Sequence, residues 1–238
     1  MAVQNSLVKN DAKRLDVQFD SGGTQVFLSP TIVKNYLVSG NGNVSDQEVV
    51  MFIKLCQAQK LNPFLREAYL IKYGSQPATM VTGKEVFTKR AQRNPRYEGH
   101  EAGVIVLNDD SELIERAGTL ILEDEKLVGG WAKVHIKGYK IPIEMAVTFT
   151  EYCLYKDGKP ASNWAVKPAT MIRKVALVQA LREAFPEDLQ GMYDQDEMMV
   201  DAPLSDVPIV MENDLTHQTD EPAHTEIPET AIVNDPLA

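Results

Sequence analysis

The chain has 238 residues and a mass of 26.5 kDa, enough to bury the core of one large domain with an appended tail but too little for three domains. Its 34 acidic and 24 basic side chains give a formal charge of −10, which at first argues against a nucleic-acid partner. The charges are unevenly distributed, because residues 187–238 contain 14 of the acidic residues and none of the basic ones. Residues 1–186 therefore carry 24 basic against 20 acidic side chains, a charge of +4, and the tail carries −14.

Composition also excludes membrane-spanning and disulfide-rich classes. No apolar run approaches the roughly 20 residues of a membrane helix, and residues 1–28 contain no signal-peptide core, so we expect a soluble intracellular protein with no membrane partner. The two cysteines, Cys56 and Cys153, cannot form a disulfide framework, and together with His217 and His224 they are too few for a zinc finger. We expect both thiols to be reduced and packed.

Residues 1–28 are polar and predict a loosely held arm or a short edge strand, and oligomerisation is one role open to such an arm. Cap and proline signals then predict helices and one pair of strands up to residue 96. The predicted elements are helices at Ser29–Val38 and from the capping box Ser45–Glu48 to about Leu61, strands at Ala68–Tyr73 and Thr79–Val81, and a helix at Gly83–Asn94.

From residue 97 the pattern changes to apolar or alternating runs separated by charged turns, which predicts strands. These strands lie at Gly103–Leu107, Gly118–Leu122, Gly130–Ile136 and Ile141–Val147, with Lys137-Gly138 as a hairpin tip. A short helix near Thr150–Tyr155 and a long helix at Pro168–Phe185 follow. Because helices and strands are segregated along the chain, the expected class is α+β, an antiparallel sheet packed with helices.

The residues beyond Met199 include five prolines and neither an aromatic residue nor a Lys or Arg. Such a segment buries too little apolar surface to offset its ordering entropy, so we expect a disordered acidic tail. The expected organisation is an N-terminal arm at 1–28, a core at 29–198 and the tail at 199–238.

Eleven cations are concentrated in three segments that could together line a groove for a phosphate chain. In the first, Lys89, Arg93 and Arg96 fall at i, i+4 and i+7 and form one stripe of a helix, for which a merely solvated face is an equal alternative. Basic residues interleaved with aromatic ones suit single-stranded nucleic acid, although Trp164 could simply cap the core. The three sets are Lys84, Lys89, Arg90, Arg93 and Arg96; Lys156, Lys159 and Lys167 with Tyr155 and Trp164; and Arg173, Lys174 and Arg182.

The last set lies in a helix whose apolar residues cover most of its circumference, so its cations need partners. Either an internal acid supplies the partner, with Glu183, Glu151 or Glu67 as candidates, or a phosphate from outside does.

Signals of enzymatic chemistry are weak. The segment Thr82-Gly83-Lys84-Glu85 lacks the first glycine and the Ser or Thr of an ATP-binding phosphate loop. The acidic cluster Tyr193-Asp194-Gln195-Asp196-Glu197 has carboxylates at two-residue spacing but lacks the features of a calcium loop, so a helix cap or a salt bridge to the basic body is favoured over a metal site. His100 and His135 have no local partner for nucleophilic catalysis.

Several separated motifs occur together in order. They are Leu61-Asn62-Pro63-Phe64-Leu65-Arg66-Glu67-Ala68-Tyr69, the segment 84–99 ending in Tyr97-Glu98-Gly99, Trp164, Met171-Ile172-Arg173, Gln179, Arg182, Ala184-Phe185 and the acidic cluster at 193–197. Over about residues 30–198 the chain resembles the phage RecT/Redβ (Bet) recombinases, and it is more similar to the RecT branch than to the Redβ branch.

The resemblance implies an annealing core that binds single-stranded DNA, forms rings or helical filaments, and anneals complementary strands without ATP in the cytoplasm of a bacterial host. It implies no covalent chemistry and no required cofactor, with a contribution of Mg²⁺ left open. The family's basic positions correspond to Arg66, Lys89, Lys156, Arg173 and Arg182. The chain departs from the Redβ branch at Ala169-Thr170, where that branch has two basic residues, and at Lys174-Val175, where it has a histidine and a lysine.

The expected partners are single-stranded DNA, the annealed duplex intermediate, further copies of the chain, a phage exonuclease and a host single-strand-binding protein. Lys133, Lys137 and Lys140 lie in the predicted hairpin at 130–147, which either reaches toward DNA or a neighbouring subunit or is a plain exposed hairpin. Two rival functions are a passive single-strand-binding protein and a Mg²⁺-dependent nuclease using Asp194, Asp196 and Glu197. The acidic tail has three open roles, namely screening the groove, docking a partner, and keeping the protein soluble.

Overall fold

The structure is a computed structural model that describes residues 15–195. The expectations about the start of the arm, Asp196, Glu197 and the tail at 199–238 lie outside the described residues. The strands are β1 (Val17–Ser21), β2 (Thr24–Leu28), β3 (Val38–Ser39), β4 (Ala68–Ile71), β5 (Thr79–Thr82), β6 (Tyr97–Leu107), β7 (Leu113–Ala117), β8 (Lys126–Ile136), β9 (Ile143–Thr148), β10 (Tyr155–Lys156) and β11 (Lys159–Pro160). The helices are α1 (Pro30–Tyr36), α2 (Asp46–Gln59), α3 (Lys84–Arg93), α4 (Phe149–Tyr152), α5 (Ser162–Val166), α6 (Pro168–Ala184) and α7 (Pro186–Leu189), and a 3₁₀ turn covers Pro63–Leu65.

A four-stranded antiparallel sheet in the order β7-β6-β8-β9 forms the larger sheet of the core. Lys137-Gly138 lies in the turn between β8 and β9, as predicted. The prediction of a strand at 118–122 is wrong, because the strand lies just before it, in β7. Gly118 has a φ of +77°, a conformation that ends the strand, and Leu120 beyond it is exposed. The apolar side chains of residues 118–122 are what predict a strand at that position.

A smaller sheet has the order β3-β4-β5. Strands β4 and β5 are antiparallel, which confirms the predicted hairpin partners. Strand β3 joins β4 in parallel through only two residues, too short a segment to show any periodicity in the sequence. With helices packed against antiparallel strands, the fold belongs to the expected α+β class.

The predicted helix caps are present. The Ser29 hydroxyl accepts the backbone N–H of Ile32 and Pro30 opens α1. At the start of α2 the Ser45 hydroxyl accepts the N–H of Glu48, and the Glu48 carboxylate accepts the N–H of Ser45, which completes the capping box. The sequence therefore located both helix starts to the residue.

Helix α6 runs through the centre of the core. One side packs on β8 and β9 and another contacts α3, which explains why apolar residues cover most of its circumference. The closest approach is at Gly130 of β8, where an added Cβ would lie 2.6 Å from the carbonyl oxygen of Ile172. Any side chain at Gly130 would separate the helix from the sheet, so glycine sets the position of the cations on α6.

Part of the expected N-terminal arm belongs to the folded core. Residues 17–28 form the β1–β2 hairpin, and Val26 and Leu28 of β2 are buried among the core residues. The Ser21 hydroxyl at the hairpin turn donates to the carbonyl oxygen of Lys60, at 2.8 Å. A role of residues 1–28 in oligomerisation stays a prediction.

Within residues 15–195 no helix is long and apolar enough to span a membrane. Cys56 and Cys153 are free and buried, as expected, and burial raises the pKa of both thiols.

Candidate nucleic-acid interface

Three elements of the core meet around His100 of β6. Arg173 of α6 donates from Nε to the carbonyl oxygen of Ala102, at 3.1 Å, which ties the helix cation to the strand. Lys84 begins α3, and its charge and that of Arg173 act on the His100 imidazole, whose pKa is lowered mainly by burial and further by these two cations. Neither Lys84 nor Arg173 forms a salt bridge in the part of the chain that the structure describes.

The other two cations of α6 contact the segment that follows α7. Lys174 pairs with Asp194, with 2.9 Å between Nζ and Oδ1, and the two side chains are only 18% and 4% exposed. The guanidinium of Arg182 lies 4.8 Å from the centre of the Tyr193 ring. An internal ion pair is therefore present on α6, with Asp194 as the partner in place of Glu183, Glu151 or Glu67. The preference for a salt bridge over a metal site holds for Asp194.

The predicted stripe on α3 and just beyond it does not act as one surface. Lys89 pairs with Glu67, at 2.7 Å, and Arg90 is half-buried, donating to Gln59 and to the carbonyl oxygen of Asp188. Burial lowers the pKa of Arg90, and these acceptors hold its guanidinium inside the protein. Arg90 uses three of its five N–H donors within the fold, and its role as a phosphate ligand stays a prediction.

The remaining cations of this segment face outward. Arg93 is exposed and lies beside Gly22 of the β1–β2 turn, where an added Cβ would be 3.3 Å from one of its Nη atoms. Arg96 lies beyond the end of α3, and its guanidinium is 5.5 Å from the centre of the Tyr139 ring in the β8–β9 loop. Arg96 thus connects the basic segment to the predicted hairpin tip.

A cleft of about 430 Å³ opens between α3, the end of α2, the β1–β2 turn and α7. Four cations and three carboxylates line this cleft, so its net charge is small. The charged residues are Lys60, Lys89, Arg90, Arg93, Glu67, Glu187 and Asp188.

Arg66 lies at the end of the 3₁₀ turn with a φ of 60°, a left-handed conformation that turns the chain into β4. Its charge acts on the phenol of Tyr69, whose pKa is raised mainly by burial. The charges of Lys174 and Asp194 act on the same phenol. The charges of Arg66 and of the Lys174–Asp194 pair thus act on one phenol, and the role of Arg66 in binding DNA stays a prediction.

The loop before α6 contains one exposed and one buried aromatic residue. Tyr155 in the β10–β11 hairpin is 46% exposed, and the neighbouring Lys156 and Lys159 are exposed as well. Trp164 is 4% exposed and meets Phe149 edge to face, with 5.6 Å between ring centres. This burial contradicts the interpretation of Trp164 as a base contact and bears out the alternative that it caps the core. Lys167 occupies the N-cap position of α6, and its side chain is exposed.

The three lysines of the β8–β9 hairpin also differ. Lys137 and Lys140 are exposed in the loop at its tip. Lys133 lies within β8, where it pairs with Glu115 and Glu144 at 3.3 and 3.2 Å, and these two carboxylates raise its pKa, Glu144 by more. Lys133 is therefore part of a charge network on the sheet and not of the tip.

The structure thus places the predicted site residues in separate groups. It ties Arg173 to β6 two residues from His100, and the charges of both Arg173 and Lys84 act on the His100 imidazole. The sequence analysis considered His100 only for catalysis. Alternation along β6 places His100 and Ala102 on the same face of the strand, but only the packing of α3 and α6 shows what that face meets. No hydrogen bond or salt bridge in residues 15–195 links Lys156 or Lys159 to this group. A single groove containing all eleven cations stays a prediction.

Cations presented by rigid elements of an α+β core are typical of a protein that binds a polyanion. The RecT family model matches residues 28–211, which is more than half of the chain, and the chain belongs to the RecT family. It is also similar to an uncharacterized protein of Ureaplasma parvum serovar 3, with 30% identity over 152 residues. That alignment covers 62% of this chain and 60% of the relative, so the chain spans less than two thirds of the relative's length.

Proposed function

We propose that this RecT-family protein binds single-stranded DNA, assembles on it as a homo-oligomer, and anneals complementary strands without ATP in phage homologous recombination. The observations that support this most directly are that Arg173 of α6 is held on β6 by the carbonyl of Ala102 and that Lys84 begins α3, and that neither cation has an acidic partner among residues 15–195. The phosphates of a DNA backbone supply the counter-charge that these two cations lack within the described chain.

Annealing in this proposal has no covalent step. Its barrier is the repulsion between two polyanions together with the secondary structure that each strand forms alone. Cations that neutralise one backbone leave its bases free to pair with a second strand, and this binding does not depend on sequence because phosphate contacts position the strand without specifying it. Tyr155, exposed beside Lys156 and Lys159, is the remaining aromatic candidate for stacking on a base.

Oligomerisation supports the same function. A protomer that neutralises a few phosphates binds weakly, whereas several protomers on one strand add their contacts at high effective concentration. The strands to be annealed must first be made single, so the proposed partners are an exonuclease that resects duplex DNA and the host protein that covers the product.

The test is an assay in which labelled complementary strands are mixed with the full-length protein, with and without ATP and Mg²⁺, while duplex formation and strand cleavage are followed together. Faster pairing in the absence of ATP supports the proposal. Protection of the strands without faster pairing would identify a passive single-strand-binding protein. Degradation on addition of Mg²⁺ would identify a nuclease.

Charge reversal at the site sharpens this test. Arg173→Glu removes a cation with no acidic partner in the described chain and adds repulsion, so we expect binding of single-stranded DNA to weaken roughly tenfold to a hundredfold and annealing to slow accordingly. Lys54→Glu is the matched control, since Lys54 is exposed on α2 and the net charge changes by the same amount. Equal loss in both variants, or undiminished annealing by a folded Arg173→Glu variant, would refute the role of Arg173.

A further inference from the structure

His100 occupies a position that the proposed function does not yet use. Its Nδ1 lies 2.5 Å from the hydroxyl of Tyr97, and the side chain is half-buried on the face of β6 that packs toward α3 and α6. Its Nε2 has no hydrogen-bond partner within residues 15–195. The ring is therefore held through one nitrogen while the other is open to a further ligand.

The surroundings of this nitrogen are cationic. Arg173 of α6 is bonded to Ala102, two residues along β6, and Lys84 begins α3, which packs on both β6 and α6. The charges of both act on the imidazole, while β8 contributes the apolar Val134 as the residue opposite His100. On β6 itself, Glu98 and Glu101 are exposed, and Glu101 pairs with His135, at 2.8 Å. Burial, and after it the charges of Arg173 and Lys84, lower the pKa of His100 in the free protein, which favours the neutral imidazole.

We propose that Lys84, His100 and Arg173 form one binding site for a phosphate of the DNA backbone, and that His100 takes up a proton when the phosphate enters. This inference rests on the proposed function, since it identifies a residue and a proton as part of the same DNA site. The three groups come from three different elements, and each can donate hydrogen bonds to phosphate oxygens, His100 from Nε2.

The proton uptake follows from electrostatics. A phosphate between the three groups stabilises the imidazolium and offsets the repulsion from Arg173 and Lys84, so the pKa of His100 rises on binding. Tyr97 accommodates both states, because its hydroxyl can donate to the unprotonated Nδ1 or accept from the protonated one. Linkage then requires affinity for DNA to increase as the pH falls between the pKa values of the free and bound states.

The experiment measures the affinity for oligothymidylate at constant ionic strength between about pH 8 and about pH 6, a range in which thymine does not titrate. For the wild-type chain we expect tighter binding at lower pH, by up to about tenfold per pH unit for each proton taken up. His100→Gln should lose this dependence. His135→Gln is the matched control, because His135 lies on the opposite face of the sheet and should leave the dependence unchanged.

Calorimetry on the wild-type protein gives an independent measurement. Binding heats in two buffers of different ionisation enthalpy report the number of protons taken up, and we expect net uptake that is absent in His100→Gln and retained when His217 and His224 are both replaced by Gln. No proton uptake by the wild-type chain, or equal uptake in wild type and His100→Gln, would overturn the inference while leaving the proposed function intact. No binding of oligothymidylate at any pH would overturn both.

Discussion

Two neighbouring cations on α6 have different partners, and we assign them different roles. Lys174 forms an ion pair with the buried Asp194, whereas Arg173 donates to the backbone carbonyl of Ala102 and forms no salt bridge within residues 15–195. The sequence alone predicts both Arg173 and Lys174 as phosphate ligands. In the proposed function Arg173 contacts DNA, whereas Lys174 holds the chain after α7 against the core.

We expect breaking the Lys174–Asp194 pair to destabilise the fold as strongly as breaking a buried ion pair does. Asp194→Asn removes the carboxylate that pairs with Lys174 in a site that is mostly excluded from water, so we expect the free energy of unfolding to fall by about 3 kcal/mol. Urea denaturation measures this loss.

The control is Asp46→Asn. Asp46 pairs with Lys34, but the two side chains are 72% and 40% exposed, so the loss should stay below about 1 kcal/mol. Similar losses in the two variants would show that the Lys174–Asp194 pair acts as a surface pair.

Residues that are close in sequence need not share one surface. Trp164 lies close in sequence to Tyr155 and three lysines, the composition of a stacking surface, yet its ring is buried against Phe149. An indole buries a large apolar area, and its position in the short helix α5 directs that area toward the core. Exposure, which decides whether a ring can stack on a base, is a tertiary property.

At the scale of elements, the capping box of α2 also holds a distant connection. The Glu48 carboxylate that caps the helix accepts from Lys72 after β4, at 2.7 Å, and from the backbone N–H of Ala78 before β5. The hydrogen bond from Lys72, followed by those from the backbone of Ser45 and Ala78, lowers the pKa of Glu48 to about 2. One side chain thus joins a helix start to the β4–β5 hairpin.

This arrangement predicts an acid-sensitive contribution to stability. Because the pKa of Glu48 is lowered in the folded state, its contribution is present above the ordinary value of 4.5 and is lost as the pH falls toward about 2. We expect Glu48→Gln to be less stable than wild type near neutral pH and the difference to shrink across this interval. Denaturation at a series of pH values provides the measurement, and a difference that does not change with pH would contradict it.

The segment after α7 behaves as a further element of the core. The Gln59 amide donates to the carbonyl oxygen of Gln190, at 2.9 Å, Met192 is fully buried, and the N–H of Thr82 at the end of β5 donates to the carbonyl oxygen of Tyr193, at 2.7 Å. These contacts anchor residues 190–194 beside α6. The acidic cluster recognised in the sequence therefore begins within the folded domain.

At the scale of the whole molecule, the proposed function predicts a response to salt. If cations of the core neutralise phosphates, the affinity for single-stranded DNA should fall with salt with a log–log slope of roughly −0.7 for each phosphate contacted. Titrations of oligothymidylate at several salt concentrations determine the slope. A flat response would point to a ligand that is not a polyanion.

The acidic tail lies outside the described residues, but its charge permits a prediction. If it screens the basic body, deletion of residues 199–238 should tighten binding of single-stranded DNA at low salt, and the difference should shrink as salt rises because screening weakens both interactions. Unchanged affinity at all salt concentrations would exclude screening and leave docking and solubility as the roles of the tail.

The sequence by itself determined the features that depend on local chemistry. The caps of α1 and α2, the β4–β5 pair, the span of α6 and the α+β class follow from residue types within one turn or one strand, and the motifs at 61–69 and 171–185 indicated the family. Local chemistry did not locate every element. The apolar residues at 118–122 predicted a strand there, whereas β7 ends at Ala117, just before Gly118 with its left-handed φ.

Only the tertiary structure decided which charges are available. Lys89, Arg90, Lys133 and Lys174 find partners within the fold through contacts between residues distant in sequence, and Trp164 is covered by Phe149. The same long-range packing makes the charges of Lys84 and Arg173 act on the one imidazole of His100, although 89 positions separate the two cations in sequence. Charge is a property of a residue, but its neutralisation depends on distance in space, and that distance is set by how α3, β6 and α6 pack.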